Sequence, residues 1–168
     1  MTQRFWLLTS SVMIGLLDSG SGGLTVMKAV RAELPSADII YFGDIKNAPY
    51  GGKSRVELSR LTVAAIKILQ ERNVDRIISA CNSVSASLAV SLYDVFEIAP
   101  QNLIEMVGPT VSYFKNSSAR IALCATPATI ISGMYENAFR MLGKETINIA
   151  IPDLAKLCLL YTSDAADE

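Results

Sequence analysis

The 168-residue chain contains no histidine. That absence excludes Ser-His-Asp and Cys-His catalysis and removes the commonest metal ligand. Any acid–base chemistry falls to Cys, Asp, Glu, Lys or Tyr. Cysteine is scarce. Cys81, Cys124 and Cys158 form no pair at zinc or dithiol spacing, which argues against a disulfide framework and against a metal site. Basic clusters are also missing: 15 Lys and Arg against 16 Asp and Glu lie scattered, so no nucleic-acid partner is expected. No apolar run reaches the ~18 residues that span a bilayer. Near the start, Phe5-Trp6-Leu7-Leu8 is interrupted by Thr9-Ser10-Ser11. The next apolar run, 12–17, enters Asp18 without a small-x-small cleavage pattern. No membrane partner and no secretion signal are expected, and the location expected is cytoplasmic.

What is present is a chain rich enough in apolar residues to build a core: 51% hydrophobic against 18% charged. Short apolar runs alternate with helical patterns. Residues 12–17, 38–42, 75–80, 103–107, 120–125 and 147–151 read as strands, the fourth weakly. Helical spacing appears at Leu24, Met27, Val30 and Leu34, and again from Ser54 to about Arg72. There Ser54 and Glu57 form a capping-box pattern, and Leu58, Leu61, Ala65, Ile66 and Leu69 share a face. Pro109 is placed to open a helix through Phe114. Thr126-Pro127 is placed to start one that ends at Gly143. The alternation predicts an α/β fold with a parallel sheet and flanking helices, with a soft boundary near Ala99-Pro100.

The chemistry-bearing residues fall at strand ends, where ligands bind in such sheets. The third strand ends in Cys81-Asn82-Ser83, and a helix pattern follows at once. Beside a helix start the thiol would be biased toward thiolate. Cys81 is equally readable as a small buried hydrophobe. The first strand ends in Asp18-Ser19-Gly20-Ser21-Gly22-Gly23. This is no dinucleotide fingerprint, because Thr25 stands where the third glycine belongs. Nor is Gly52-Lys53-Ser54 a P-loop, with Asn47 at the required glycine. What remains is a turn whose amides suit a carboxylate or phosphate. Asp18 reads either as a helix cap or turn former, or as a contact for a substrate cation or an orienting partner for a nearby acid–base group. Pro49-Tyr50-Gly51-Gly52 follows the second strand, and Thr126 and Thr129 follow a later one. Together they make a polar rim for a small molecule with both charges, such as an amino acid.

Several blocks, in order, resemble glutamate racemase of the aspartate/glutamate racemase superfamily. They are Ile14-Gly15-Leu16-Leu17-Asp18-Ser19-Gly20-Ser21-Gly22-Gly23-Leu24-Thr25-Val26, Asp38-Ile39-Ile40-Tyr41-Phe42-Gly43-Asp44, Pro49-Tyr50-Gly51, Ala80-Cys81-Asn82-Ser83, and Ala125-Thr126-Pro127-Ala128-Thr129-Ile130 with Ser132-Gly133 and Tyr135. Ser83 and Ala125 depart mildly from the family's usual threonine and glycine. The resemblance implies two pseudo-symmetric α/β domains with the site between them, here residues 12–99 and an incomplete 100–157. It implies cofactor-independent, two-base inversion of glutamate, supplying D-glutamate for peptidoglycan. Cys81 would be one base and Asp18 its orienting partner. Ser19, Pro49, Tyr50, Gly51, Asn82, Ser83, Thr126 and Thr129 would bind substrate. A homodimer is the expected assembly of the full-length protein.

The departures carry equal weight. The family's second cysteine lies in a Cys-Thr-His block that this chain lacks. Cys124, inside an apolar strand, is expected to be core. Residues 158–168 read as a non-family tail and 1–11 as an N-terminal extension. The expectation is a truncated, impaired racemase, with an exposed last strand. The alternatives are a racemase of aspartate or another amino acid, and a non-catalytic module holding a small anion at the glycine turn.

Overall fold

The computed structural model describes residues 12–87, 100–153 and 155; the expected N-terminal extension, the tail with Cys158, and residues 88–90 of the helix pattern after Cys81 lie outside them. The described chain is α/β with parallel sheets, as the alternating pattern predicts. Strands β1 (Met13–Asp18), β2 (Asp38–Gly43), β3 (Arg76–Ser79) and β4 (Leu103–Ile104) form one sheet in the order β2-β1-β3-β4. Every pairing in it is parallel. The order reverses between β1 and β3, and a crevice opens there at the strands' carboxyl ends. That reversal places Asp18 and Cys81 side by side. The fourth strand comes from beyond residue 100, past the boundary read from the sequence.

Both faces of this sheet are covered, which is why its strands are apolar at successive positions. Helix α1 (Leu24–Glu33) lies on one face, where Ile14, Leu16, Ile78 and Ala80 pack with Met27, Val30 and Leu34. Leu24, counted into that stripe by spacing, is exposed. Helix α2 (Arg55–Gln70) covers the other face. Its capping box forms as read, with Ser54 and Glu57 satisfying each other's backbone amides. Leu58, Leu61, Ala65, Ile66 and Leu69 are all buried, together with Leu17, Ile77 and Cys81.

Helix α3 (Asn82–Ser87) leaves β3 directly after Cys81. The Ser85 hydroxyl accepts from the Met106 amide at 3.1 Å and so ties α3 to the segment after β4. Only Leu103 and Ile104 of the expected fourth strand extend. Val107 already begins helix α4 (Val107–Tyr113), two residues before Pro109. Proline is tolerated in a first turn, where its missing N–H has no helical partner. Strands β5 (Ile121–Ala125) and β6 (Thr146–Ala150) form a separate parallel pair. The single helix expected over 126–143 is two: α5 (Pro127–Ser132) and α6 (Met134–Met141), broken at Gly133, whose φ is 65°. The break lets Tyr135 and Phe139 turn into a small core with Val107 and Val111.

This second sheet is covered on one face. On the other, Ala122 and Cys124 of β5 stand beside Ile147 and Ile149 of β6, which are 51% and 43% exposed. Cys124 is therefore exposed, not core. Its apolar neighbours in sequence describe strand structure correctly, but they do not say whether anything packs on that side of the strand.

Candidate active site

The described structure has a cleft of about 660 Å³ at the carboxyl edge of the first sheet, between it and the second. All ten residues singled out from sequence line it: Asp18, Ser19, Pro49, Tyr50, Gly51, Cys81, Asn82, Ser83, Thr126 and Thr129. A smaller cavity of about 320 Å³ lies beyond Gly51 and Ser83, walled by Leu58, Pro127, Ala128 and Ile131. Among the described residues no three Cys, Asp or Glu side chains gather as metal ligands.

Cys81 is 7% exposed, and its Sγ donates to Ser19 Oγ at 3.4 Å. Burial pushes this thiol up from its ordinary range. The Ser19 hydroxyl and the Val84 and Ser19 amides pull it back only in part, and the Asp18 charge adds to the rise. The lowering expected from the helix start is present, as the Val84 amide, but desolvation outweighs it.

Asp18 is buried. Its Oδ2 accepts from the Gly23 amide at 2.9 Å and from the Gly20 amide at 3.2 Å. The turn's inward amides are thus occupied by the chain's own carboxylate. An anion at the glycine turn would have to do without the Gly20 and Gly23 amides or displace Asp18 from them. Asp18 is the turn former of one reading, and it also stands beside the thiol as in the other.

Tyr50 is 1% exposed, and its hydroxyl donates to Asp44 Oδ2 at 2.5 Å. Burial first, then Asp44, drives the phenol far above its usual range. The ring presents a wall to the cleft while its hydroxyl is spent inward. The preceding Ala48–Pro49 peptide is cis, and Pro49 lies exposed at the rim. Gly51 is where the two halves meet. Its carbonyl accepts from the Ala128 amide at 2.9 Å, and a Cβ at Gly51 would stand 2.5 Å from the Thr126 side chain. No other residue type fits there without moving α5.

The polar groups converge across this joint. Ser83 Oγ lies 3.2 Å from Thr126 Oγ1, which lies 3.2 Å from Thr129 Oγ1. Tyr135, from α6, donates to Asn82 Oδ1 at 2.5 Å. Sequence reasoning placed Tyr135 in a family block without assigning it to the site. The same holds for Asp44, which receives Tyr50 and the Asn47 side-chain amide at 2.9 Å, and for Tyr41. The available signal was that each is a polar residue inside a quoted block; what brings them to the assigned residues is the fold, which sets Tyr41 by Asp18, Asp44 by Tyr50 and Tyr135 by Asn82. Cys124, Thr110 and Met106 also line the cleft. Nothing in their local sequence marks them.

The arrangement offers a buried thiol beside an acid, a second, exposed thiol at Cys124, a string of hydroxyls able to turn as donors or acceptors, and one side-chain amide. Such a set suits a small zwitterion. No protein-family model matches the chain. Individual relatives do. Glutamate racemase of Aquifex aeolicus is 36% identical over 139 residues, 83% of this chain and 54% of the relative. The solved glutamate racemase of Aquifex pyrophilus superposes with a TM-score of 0.80 at 33% identity, covering 87% of this chain and 57% of that one. The Francisella tularensis glutamate racemase, solved with D-glutamate, gives 0.78 at 34%, covering 88% and 56%. The resemblance carried by the sequence blocks and the parallel α/β architecture are both borne out. The chain spans about half the length of the curated relatives it matches.

Proposed function

We propose that this chain supplies one catalytic thiol and much of the substrate pocket of a glutamate racemase, an isomerase interconverting L- and D-glutamate without a cofactor. The observation that carries the proposal is the single cleft in which Cys81 stands among Asp18, Ser19, Asn82, Ser83 and Thr126. Cys81, as thiolate, takes the α-proton of one enantiomer. The C–H bond breaks, its proton passes to sulfur, and the electron pair remains on Cα, delocalised into the adjacent carboxylate. A second base on the opposite face must return a proton to complete inversion. No Cys-Thr-His block occurs in the 168 residues, so the chain by itself should exchange a proton and interconvert glutamate poorly.

The raised thiol fits a site that waits for its substrate. The α-ammonium of glutamate would enter a cleft whose acid groups disfavour thiolate, and an added positive charge there shifts Cys81 toward its reactive form. Asn82, Ser83, Thr126 and Thr129 would hold the carboxylates, with Asp18 and Ser19 orienting the thiol and Pro49, Tyr50 and Gly51 shaping the wall. In this proposal the longer protein supplies D-glutamate to peptidoglycan from the cytoplasm, as a homodimer.

The test is α-deuteration of D- and L-glutamate in deuterated water, followed by NMR. The purified chain should deuterate one enantiomer, and Cys81→Ala should abolish it. Equal exchange by Cys81→Ala would remove Cys81 from its role. Faster exchange of aspartate would move the substrate class. Robust circular-dichroic interconversion by the chain alone would refute its dependence on a second base.

A further inference from the structure

The thiol at Cys81 has little charge on its side. Asp18 from the end of β1, Tyr41 from β2 and Tyr50 from the following loop all face it electrostatically, and each is an acid. What favours its thiolate is dipolar: the Ser19 hydroxyl, the Ser19 amide and the Val84 amide. Two of these three belong to one residue on a glycine turn. A turn of that composition has little order of its own, so the structure that holds it decides whether Ser19 stays at the sulfur.

That hold is visible. Asp18 closes the turn from inside through the Gly20 and Gly23 amides. From outside, the Tyr41 hydroxyl donates to the Gly20 carbonyl at 2.7 Å and lies 3.4 Å from Asp18 Oδ2. A phenol has one proton, and the shorter contact takes it. The strand comes unusually close to do this: a Cβ on Gly43 would stand 2.4 Å from the Gly20 oxygen and 3.0 Å from the Tyr41 ring. The bonded carbonyl is one residue from Ser19.

We propose that Tyr41 is a positioning residue for the Cys81 thiol, pinning the turn that holds Ser19 against Sγ. It touches neither the sulfur nor the space for substrate and acts through Ser19. The inference rests on Cys81 being the reacting thiol of the proposed racemase site, but its test needs no glutamate.

The measurement is iodoacetamide alkylation of Cys81 against pH, read by peptide mass on the full chain in a Cys124→Ser, Cys158→Ser background. The midpoint reports thiolate stability, and the alkaline plateau reports access. Tyr41→Phe keeps the ring and frees the Gly20 carbonyl. It should move the midpoint to higher pH and slow alkylation at about pH 7.5 roughly three- to tenfold. Ser19→Ala should do the same. The double variant should fall well short of the sum, because both changes remove one interaction. A Tyr41→Phe midpoint coincident with the parent would overturn the proposal, even if its melting temperature falls, since a purely structural tyrosine changes stability alone. Fully additive effects would overturn it too. If the chain deuterates no amino acid while the midpoint still moves, the racemase proposal fails and the role of Tyr41 stands.

Discussion

The two sheets are built from similar strands and end up in opposite circumstances. The four-stranded sheet carries α1 on one face and α2 on the other, and Leu16 and Leu69 are completely buried around it. The β5–β6 pair has helices on one face and an open apolar face with Cys124, Ile147 and Ile149 on the other. The consequence reaches the site. Asp18 and Cys81 hang from the covered sheet, so the thiol is buried and its pKa is raised. Thr126, Thr129 and Tyr135 hang from the barer one and are joined to the first sheet's side by contacts at Gly51, Ser83 and Asn82. The thiol on the first sheet, Cys81, is buried, whereas the thiol on the second, Cys124, is exposed and meets the cleft at its edge.

The comparison breaks if the two sheets respond alike to damage. Leu69→Ala should cost about 2–5 kcal/mol, since it opens a cavity in a core with no room to relax. Ile149→Thr should stay within about 0.5 kcal/mol, because its face is already wet. Urea melts of both variants decide it. A large loss for Ile149→Thr would mean that something covers that face in solution.

Alkaline pH sharpens the contrast. Both states carry neutral Cys81 below the unfolded thiol's range. The folded state keeps its proton to higher pH than the unfolded one. Stability at this group is therefore complete below about pH 8.5 and falls as pH rises from there through the folded pKa. Tyr41 and Tyr50, pushed up in the same direction, add a later loss. The urea midpoint of Cys81→Ala should decline less between about pH 8 and 10 than that of the parent.

The smallest effect concerns Thr62. This α2 residue is fully buried, and its hydroxyl oxygen has no hydrogen-bond partner among the described residues. Thr62→Val keeps the shape and removes that cost, so thermal stability should rise by about 0.5–1.5 kcal/mol. A loss would mean the hydroxyl has a partner, such as a bound water.

Local pattern carried far in the first sheet. Apolar runs, glycine turns and the Ser54–Glu57 box located β1, β2, β3 and α2 to within a residue or two, because both faces are buried and periodicity has one meaning there. It carried less far after residue 100. Helical spacing ran through Gly133, whose positive φ splits the helix. Proline at 109 was legible as a helix signal but not as a third-position one. Cys124 sits in an apolar run and was counted inside, yet apolar sequence does not reveal a missing layer.

For the candidate site, strand ends and the family-like blocks together singled out Cys81, Asp18 and eight companions, and all ten line one cleft. Glycine turns and strand ends are local features, and a parallel sheet brings its carboxyl ends to one edge. Only the tertiary structure decided the state of these groups. Asp18 takes two of the turn amides, those of Gly20 and Gly23. Tyr50 spends its hydroxyl on Asp44. Burial pushes the Cys81 thiol up although a helix begins beside it. Each outcome depends on how much water is excluded and on which partner, distant in sequence, arrives first. A one-dimensional pattern records neither.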